Sequence, residues 1–372
     1  MSHTPMKTSL LRLLFLLSLT LNVAAARAGD WLSLVDDDLP VCRLSIPGTH
    51  DACTGDGFLP RDSALAAKIA TTQDLGIAEQ WSCGVRAFDL RPDVRVVEGA
   101  SCTLQIYHGE FATVMTLGRV LELLRDSLAA HPTEFAVIIL QHERSPRRDG
   151  SRWAEMTDSV LARHSDLILD FRPDITVGQL RGRLLVMSRD TYGDMPRGAY
   201  VSGWSFSPDI RTDTTAAIRG CVHEGRLIVQ DFYDMTQEGG MPAKLSAIER
   251  TLRLSCSRRL MEDMPHTWFV NHTSGYLYTT DEYGPRRVSL TEGYRANAAE
   301  TNRWLANLIE SDEVRTDLRG RDASRQRDRR KTCAGIVMMD FAGVARSGGH
   351  EVCGDRLVKA VIGANFTTRG AR

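Results

Sequence analysis

Six residues of this sequence are of the types that cleave a phosphodiester by general acid–base catalysis. They are His50, His108, Arg91, Asp51, Asp89 and Asp340. Because the ordinary pKa of histidine is about 6.5, one imidazole can accept a proton while a second donates one. A guanidinium matches phosphate oxygens and stabilises the charge that develops on them, and carboxylates orient imidazole rings. The set could therefore deprotonate an attacking hydroxyl, stabilise the transition state and protonate the leaving oxygen.

The same residue types allow two other interpretations. Three carboxylates and two imidazoles can bind a divalent metal ion, although Arg91 in the same cluster would repel a cation. The six residues could also form a purely structural network. That interpretation is weaker, because six ionisable groups are costly to hold together without a function.

Short apolar segments precede these residues and predict the strands of a parallel sheet. The predicted strands are 41–46, 85–90, 104–107, 135–140, 184–187, 227–230, 268–270 and 336–339. Their near-continuous apolar character is typical of strands that are buried on both faces. Helices are predicted between them at 116–130, 151–164, 242–260 and 290–309. Eight strands that alternate with helices predict an α/β fold, a distorted (β/α)₈ barrel of the TIM type.

Polar residues follow every predicted strand. Strand by strand they are His50 and Asp51, Asp89 and Arg91, His108, Gln141 to Glu143, Arg189 and Asp190, Asp231 and Tyr233, Asn271 and His272, and Asp340. The carboxyl ends of parallel barrel strands meet at one rim, where such folds have their active sites. We therefore expect the six candidate catalytic residues to lie close together at this rim.

Composition and the first residues predict a secreted globular protein. The chain has 372 residues and a net charge of −1, and this balance excludes a polycationic nucleic-acid binder. Residues 1–28 combine a basic start, an apolar run from Leu13 to Leu21 and Ala26-Arg27-Ala28, which is the pattern of a secretory signal peptide. We expect residues 29–372 to form a single domain, in which the charged stretch 310–331 is a solvated insertion.

Eight cysteines would remain after removal of a signal peptide. An even number of cysteines in an exported protein predicts disulfides, whose pairing the sequence does not determine. Since no two of them form a Cys-x-x-Cys pair, a zinc or redox site is not indicated. The eight are Cys42, Cys53, Cys83, Cys102, Cys221, Cys256, Cys333 and Cys353.

Six segments of the chain resemble the X domain of phosphatidylinositol-specific phospholipase C, in its small secreted bacterial form. They are 44–51, 84–91, 107–109, 134–141, 229–234 and 337–341, in the order that this family has. The first two, LSIPGTHD and GVRAFDLR, are the specific ones. The resemblance covers nearly all of the predicted mature chain, and it implies the distorted TIM barrel that the strand pattern predicts independently.

The resemblance implies roles for the candidate catalytic residues. His50 would take the proton from the inositol 2-hydroxyl, and His108 would protonate the diacylglycerol oxygen with assistance from Asp51. Asp340 would orient His50, and Asp89 would support the arginine at the phosphate. That arginine, Arg91, lies where calcium-dependent relatives carry a metal-binding carboxylate, so neither a metal nor another cofactor is expected.

Four further residues would bind the substrate. Arg189, Asp231 and Tyr233 match residues that hold the inositol ring, and Tyr233 would stack against its apolar face. Gln141 replaces a lysine of some bacterial members, so the contact at this position differs.

The expected function is cleavage of phosphatidylinositol, or of its glycosylated form, to diacylglycerol and inositol 1,2-cyclic phosphate. The expected partner is a membrane lipid that is met peripherally, with no protein or nucleic-acid partner. One alternative is a metal-dependent glycerophosphodiester phosphodiesterase, but that class usually has His-Arg-Gly where this chain has His50-Asp51. Another is a catalytically dead relative that binds lipids or anchors, which typically loses one of the two histidines.

Overall fold

Nine short strands close into a barrel within the part of the chain that the computed structural model describes. The described residues are 28–60, 63–97, 101–193, 197–235, 239–276, 280–281, 284–285, 291–311 and 333–366. With strands numbered along the chain, the order around the barrel is Ser45–Thr49 (β1), Gly335–Met339 (β14), Trp268–His272 (β11), Glu224–Gln230 (β10), Ala216–Arg219 (β9), Ala199–Ser202 (β8), Leu184–Ser188 (β7), Ala136–Leu140 (β6) and Ala87–Leu90 (β2), which pairs with β1. The predicted α/β barrel of the TIM type is confirmed.

The barrel is distorted at β8 and β9. Its other neighbouring strands are parallel, whereas β9 runs antiparallel to both β8 and β10. Both strands have only four residues, in which buried side chains alternate with more exposed ones. They were absent from the predicted strands because they contain no continuous apolar run.

The third predicted strand, at 104–107, is not part of the barrel. It belongs to Ser101–His108 (β4), the middle strand of an antiparallel sheet with Pro92–Val97 (β3) and Phe111–Thr116 (β5). The prediction was wrong because Leu104 and Ile106 are buried in this small sheet as well, so an apolar run alone does not distinguish the two locations. Only one residue separates β3 from the end of barrel strand β2, so the small sheet begins at the barrel rim. Because β4 pairs with β3, its last residue, His108, lies at this rim as well. A second small sheet pairs Thr280–Asp281 (β12) with Gly284–Pro285 (β13).

Helices surround the barrel. They are Ser63–Ile69 (α1), Ile77–Ser82 (α2), Leu117–Ala130 (α3), Trp153–Ala162 (α4), Val177–Leu180 (α5), Gly240–Ser255 (α6), Arg258–Asp263 (α7), Thr291–Glu310 (α8) and Gly354–Gly363 (α9). Helix α3 begins as predicted, because the Thr116 hydroxyl accepts a hydrogen bond from the Arg119 N–H. The predicted helix at 242–260 is two helices, the second capped by Ser257. Within the described residues, no helix has the length and apolar character that crossing a membrane requires.

The alternation of side chains along the strands explains where the polar rim residues point. Side chains two residues apart on a strand face the same way. Six of the rim residues come two positions after a residue of the apolar cluster inside the barrel. These pairs are Ala87 and Asp89, Ile139 and Gln141, Met187 and Arg189, Val229 and Asp231, Val270 and His272, and Met338 and Asp340. The barrel interior is therefore apolar along most of each strand, and a layer of polar side chains lies at its mouth, where the strands end.

The eight cysteines, all in the described part of the chain, are free thiols, so the expected disulfides are not formed in this structure. Cys42, Cys256 and Cys333 are buried, and the Cys256 thiol donates to the backbone carbonyl of Cys333. Burial raises the pKa of Cys42 and of Cys256 to about 12. Such thiols stay protonated and pack as small apolar side chains.

The predicted signal peptide up to residue 27, and residues 312–331 of the predicted insertion, lie outside the described residues.

Candidate active site

The two predicted catalytic histidines lie together at the barrel mouth, on either side of one carboxylate. Asp51 Oδ2 is 3.1 Å from His50 Nε2 and 3.4 Å from His108 Nε2. The two ring centroids are 6.3 Å apart and the rings are nearly perpendicular, at 75°. Both side chains are mostly covered, with 13% and 14% exposed. A small anionic group could therefore reach both imidazoles at once.

Asp51 reaches this central position through an unusual backbone conformation. Consecutive side chains of an extended strand point to opposite faces, but both His50 and Asp51 point into the mouth. The chain achieves this because Asp51 is left-handed, with φ 45° and ψ 53°, which costs energy for a residue other than glycine. Its N–H donates to Asp89 Oδ2 at 3.1 Å, and this bond stabilises the turn.

Arg91 is held by two carboxylates. Its NH2 nitrogen lies 2.8 Å from Asp89 Oδ2, and its Nε lies 3.1 Å from Asp51 Oδ1. Burial would raise the pKa of Asp89, but the charges of Arg91 and His50 outweigh burial and lower it to about 2. Both partners therefore stay charged, and the guanidinium is fixed beside the two histidines.

His50 has its ring orientation set by two acids. Its Nδ1 is 2.8 Å from Asp340 Oδ1, on the neighbouring strand's end, and its Nε2 faces Asp51. Burial alone would lower the pKa of His50, but the two carboxylates outweigh it and raise the pKa to about 9. This raised pKa favours the imidazolium form of His50 near neutral pH, so His50 must lose a proton before it can act as a base.

His108 has a defined tautomer. Its Nδ1 lies 2.6 Å from the backbone carbonyl oxygen of Ala70, which can only accept, so Nδ1 carries a hydrogen. Its Nε2 faces the mouth, 3.4 Å from the Tyr294 hydroxyl. Beside it, the Gly109 N–H donates to Glu143 Oε1 at 2.8 Å. The nitrogen that can give or take a catalytic proton is therefore Nε2.

A metal ion fits this cluster less well than a phosphate does. His50, Asp51 and Asp89 each offer a ligand atom, and these atoms lie within 4.8 Å of one another. Both carboxylates, however, already pair with Arg91, whose charge opposes a cation at the same place. The positive charge of the Arg91 guanidinium attracts a bound anion, whereas it repels a bound cation.

Three predicted substrate-binding residues lie next to the catalytic cluster. Arg189 lies over the ring of Trp204, at 4.3 Å, with NH1 3.9 Å from Asp231 Oδ2. The same Asp231 oxygen accepts a 2.9 Å hydrogen bond from the Trp204 indole. Tyr233 is 41% exposed and meets Phe206 edge-on, with ring centroids 5.5 Å apart. Charged groups can hydrogen-bond the hydroxyls of a bound ring, and an exposed aromatic side chain can stack against its apolar face.

Gln141, the fourth, directly follows the last residue of β6, and its side chain points into the mouth. Its backbone N–H donates to the Leu90 carbonyl, whereas its side-chain oxygen Oε1 is buried and has no hydrogen-bond partner among the described residues. This oxygen can therefore accept a hydrogen bond from a bound hydroxyl.

Several residues at the site had no role predicted from the sequence. His272 and Glu143 follow predicted strands, and the two-residue alternation could have identified His272 as inward-facing.

Lys244, on α6, is completely buried, and its Nζ donates to the Phe232 carbonyl at 2.6 Å. Burial lowers the pKa of Lys244 to about 7. No sequence signal identifies it, because a lysine in an amphipathic helix is usually exposed.

Comparison with known proteins reveals relatives in part of the sequence. No family model matches the chain. It is 31% identical over 116 residues to the 1-phosphatidylinositol phosphodiesterase of Listeria monocytogenes, which is 31% of this chain and 33% of that protein. It is 27% identical over 139 residues to the PI-PLC X domain-containing protein 3 of Danio rerio, covering 31% of this chain and 42% of the relative. The matched segments span about a third to two fifths of these relatives.

Solved structures extend the similarity to nearly the whole fold. A variant of the phosphatidylinositol-specific phospholipase C from Staphylococcus aureus superposes with a TM-score of 0.64 at 19% identity, covering 90% of this chain and 97% of that one. The resemblance to phosphatidylinositol-specific phospholipases C is confirmed. The Listeria monocytogenes phospholipase C superposes with a TM-score of 0.60 at 20% identity, covering 92% and 100%. At these identities the phospholipase structures establish the fold of this chain.

Proposed function

We propose that this protein is a phosphodiesterase that cleaves phosphatidylinositol to diacylglycerol and inositol 1,2-cyclic phosphate without a metal. The observation that carries the proposal is the pair of imidazoles facing each other across the Asp51–Arg91 ion pair at the barrel mouth. The curated relatives named as phosphatidylinositol phosphodiesterases support this substrate class.

In the first half of the proposed reaction, the inositol 2-hydroxyl attacks phosphorus. Its proton passes to Nε2 of His50, while Asp340 holds Nδ1 and stabilises the imidazolium that forms. The Arg91 guanidinium, fixed by Asp89, stabilises the charge that develops on the phosphate oxygens.

In the second half, the bond from phosphorus to the diacylglycerol oxygen breaks. His108 gives the leaving oxygen a proton from Nε2, because its Nδ1–H is engaged by the Ala70 carbonyl. Asp51, 3.4 Å from this Nε2, keeps the protonated ring aligned. The products are diacylglycerol and the cyclic phosphate, and proton exchange with water restores both rings.

Binding of the inositol ring is assigned to Arg189, Asp231, Gln141 and Tyr233. The reacting atoms are the same when the inositol carries a glycan, so glycosylated phosphatidylinositol belongs to the same proposed substrate class. The exposed rings of Phe206 and Tyr233 lie at the mouth and suit peripheral contact with a lipid surface. Together with the signal-peptide pattern, these exposed rings support a secreted enzyme that acts on membrane lipid.

The two alternative functions explain the site less well. A metal-dependent phosphodiesterase would have to place its ion against Arg91. A dead binding protein has no need of two histidines whose orientation is set by Asp340 and by the Ala70 carbonyl.

The test is an assay with phosphatidylinositol vesicles, with and without a metal chelator. We expect ³¹P NMR to detect the cyclic phosphate in both, and His50→Ala to abolish its formation. His164→Ala is the matched control, because His164 lies beside Arg125 of α3, among the outer helices. Loss of activity with chelator, restored by calcium, would overturn the metal-independent mechanism; intact activity in His50→Ala would remove the proposed base.

A further inference from the structure

We infer that His272 is an additional substrate-binding residue, whose Nε2 accepts a hydrogen bond from a hydroxyl of the inositol ring. The inference rests on the proposed function and adds a contact to it. His272 is the last residue of β11 and comes two positions after Val270 of the barrel interior, so its side chain points into the mouth. It shares this polar layer with His50, Asp231 and Asp340.

One nitrogen of His272 is already engaged. Nδ1 lies 2.9 Å from the Ser274 hydroxyl and 3.5 Å from Asp231 Oδ1. Since a carboxylate only accepts, this surrounding favours a hydrogen on Nδ1. In the neutral ring Nε2 then carries a lone pair and is an acceptor.

The other nitrogen, Nε2, is buried and has no hydrogen-bond partner in the described part of the chain. The whole residue is only 2% exposed. A buried polar atom without a partner costs free energy, so such atoms in proteins usually have a ligand or water as partner. The inositol ring, with several hydroxyls, supplies donors of the required kind.

The neighbours of His272 place this acceptor within the site. Its ring meets the His50 ring edge-on at 6.0 Å and the Trp204 ring at 6.1 Å. His50 is the proposed base, and Trp204 supports Arg189 and Asp231, which are assigned to the inositol ring. An inositol ring bound between His50 and the Arg189–Asp231 pair would place one of its hydroxyls next to His272.

The charges around His272 keep it in the acceptor form. Burial is the main cause that lowers its pKa, His50 and Lys244 lower it further, and Asp231 and Asp89 oppose them. The resulting pKa of about 4 leaves the ring neutral where the enzyme would work. His50 and His272 thus differ in charge although they are neighbours.

The experiment compares phosphatidylinositol with analogues that each lack one ring hydroxyl other than the attacking one. In the wild type we expect one analogue to lose about tenfold in kcat/KM, the usual size for a lost buried hydrogen bond. In His272→Phe the parent substrate loses a similar factor, and that analogue loses nothing further. His272→Gln, whose amide can replace Nε2, should restore part of the difference, and His164→Phe should behave as the wild type.

An equal loss on every substrate in His272→Phe would overturn the inference while leaving the proposed function intact. A wild type that cleaves no phosphatidylinositol would instead remove the proposed function. Should His272→Phe fold poorly, ¹⁵N-histidine NMR of the wild-type chain tests the same contact. We expect myo-inositol to shift the His272 Nε2 resonance, and no shift at saturating myo-inositol would contradict the contact.

Discussion

Nδ1 of His50 lies 2.8 Å from Oδ1 of Asp340, although 290 residues separate them in the chain. The contact exists because β1 and β14 are neighbours in the closed barrel, with Thr49 paired to Met339. Each strand ends one residue before the functional side chain. Barrel closure therefore creates the proposed base and its orienting acid together.

Replacing that acid tests its positioning role. In Asp340→Asn we expect kcat to fall about 100-fold or more, because an amide can fix the wrong tautomer of His50 and cannot stabilise an imidazolium. KM should change much less, since Asp340 is buried beneath the substrate position. Steady-state kinetics on phosphatidylinositol, with circular dichroism to verify folding, give the answer. A kcat within threefold of the wild type would contradict the role.

The raised pKa of His50 predicts the direction of the pH dependence. His50 must be neutral to accept a proton, so kcat/KM of the wild type should rise with pH toward about 9. Because the Asp51 carboxylate helps to raise this pKa, Asp51→Asn should move the rising limb to lower pH, whatever its effect on the maximum. Normalised pH profiles of the two proteins provide the comparison. An unshifted or oppositely shifted limb would show that Asp51 does not control the proton on His50.

The proposed acid can be tested through the leaving group. His108→Ala should slow cleavage of phosphatidylinositol by about 100-fold or more. A substrate with an activated leaving group, such as a nitrophenyl ester of inositol phosphate, should be affected far less, because its leaving oxygen needs no proton. Parallel assays of both substrates decide the matter. Equal losses would remove His108 from the acid role.

A stability prediction concerns Gly48 of β1, whose position faces the barrel interior. A Cβ there would lie 2.5 Å from Met338 Sδ and 3.0 Å from Ala87 Cβ. Gly48→Ala should therefore destabilise the barrel by about 1–3 kcal/mol through overpacking. Gly118→Ala on α3 is the control, since its Cβ would meet no atom within 4 Å and alanine favours a helix. Urea unfolding measures both, and an equally stable Gly48→Ala would show that the interior can absorb a methyl group.

The sequence alone was sufficient for the parts of the structure that depend on local pattern. Continuous apolar runs predicted seven of the nine barrel strands in the described residues, because buried strands must be apolar on both faces. The first of them was predicted too early, at 41–46, since Val41–Arg43 is a 3₁₀ helix and β1 is Ser45–Thr49. Helix α3 was predictable because its apolar side chains recur on one face and Thr116 caps its start. The polar residues after the strands indicated the rim, since parallel strands end on the same side.

Other features arise from contacts between segments that are distant in the sequence, and they depend on the fold. The short strands β8 and β9 owe their conformation to pairing with neighbours, and β4 owes its location outside the barrel to β3 and β5. The tautomer of His108 depends on the Ala70 carbonyl, and the free lone pair of His272 depends on Asp231. None of these is encoded in a local pattern, because hydrogen bonds and electrostatic fields act through space and the fold alone determines which groups are close.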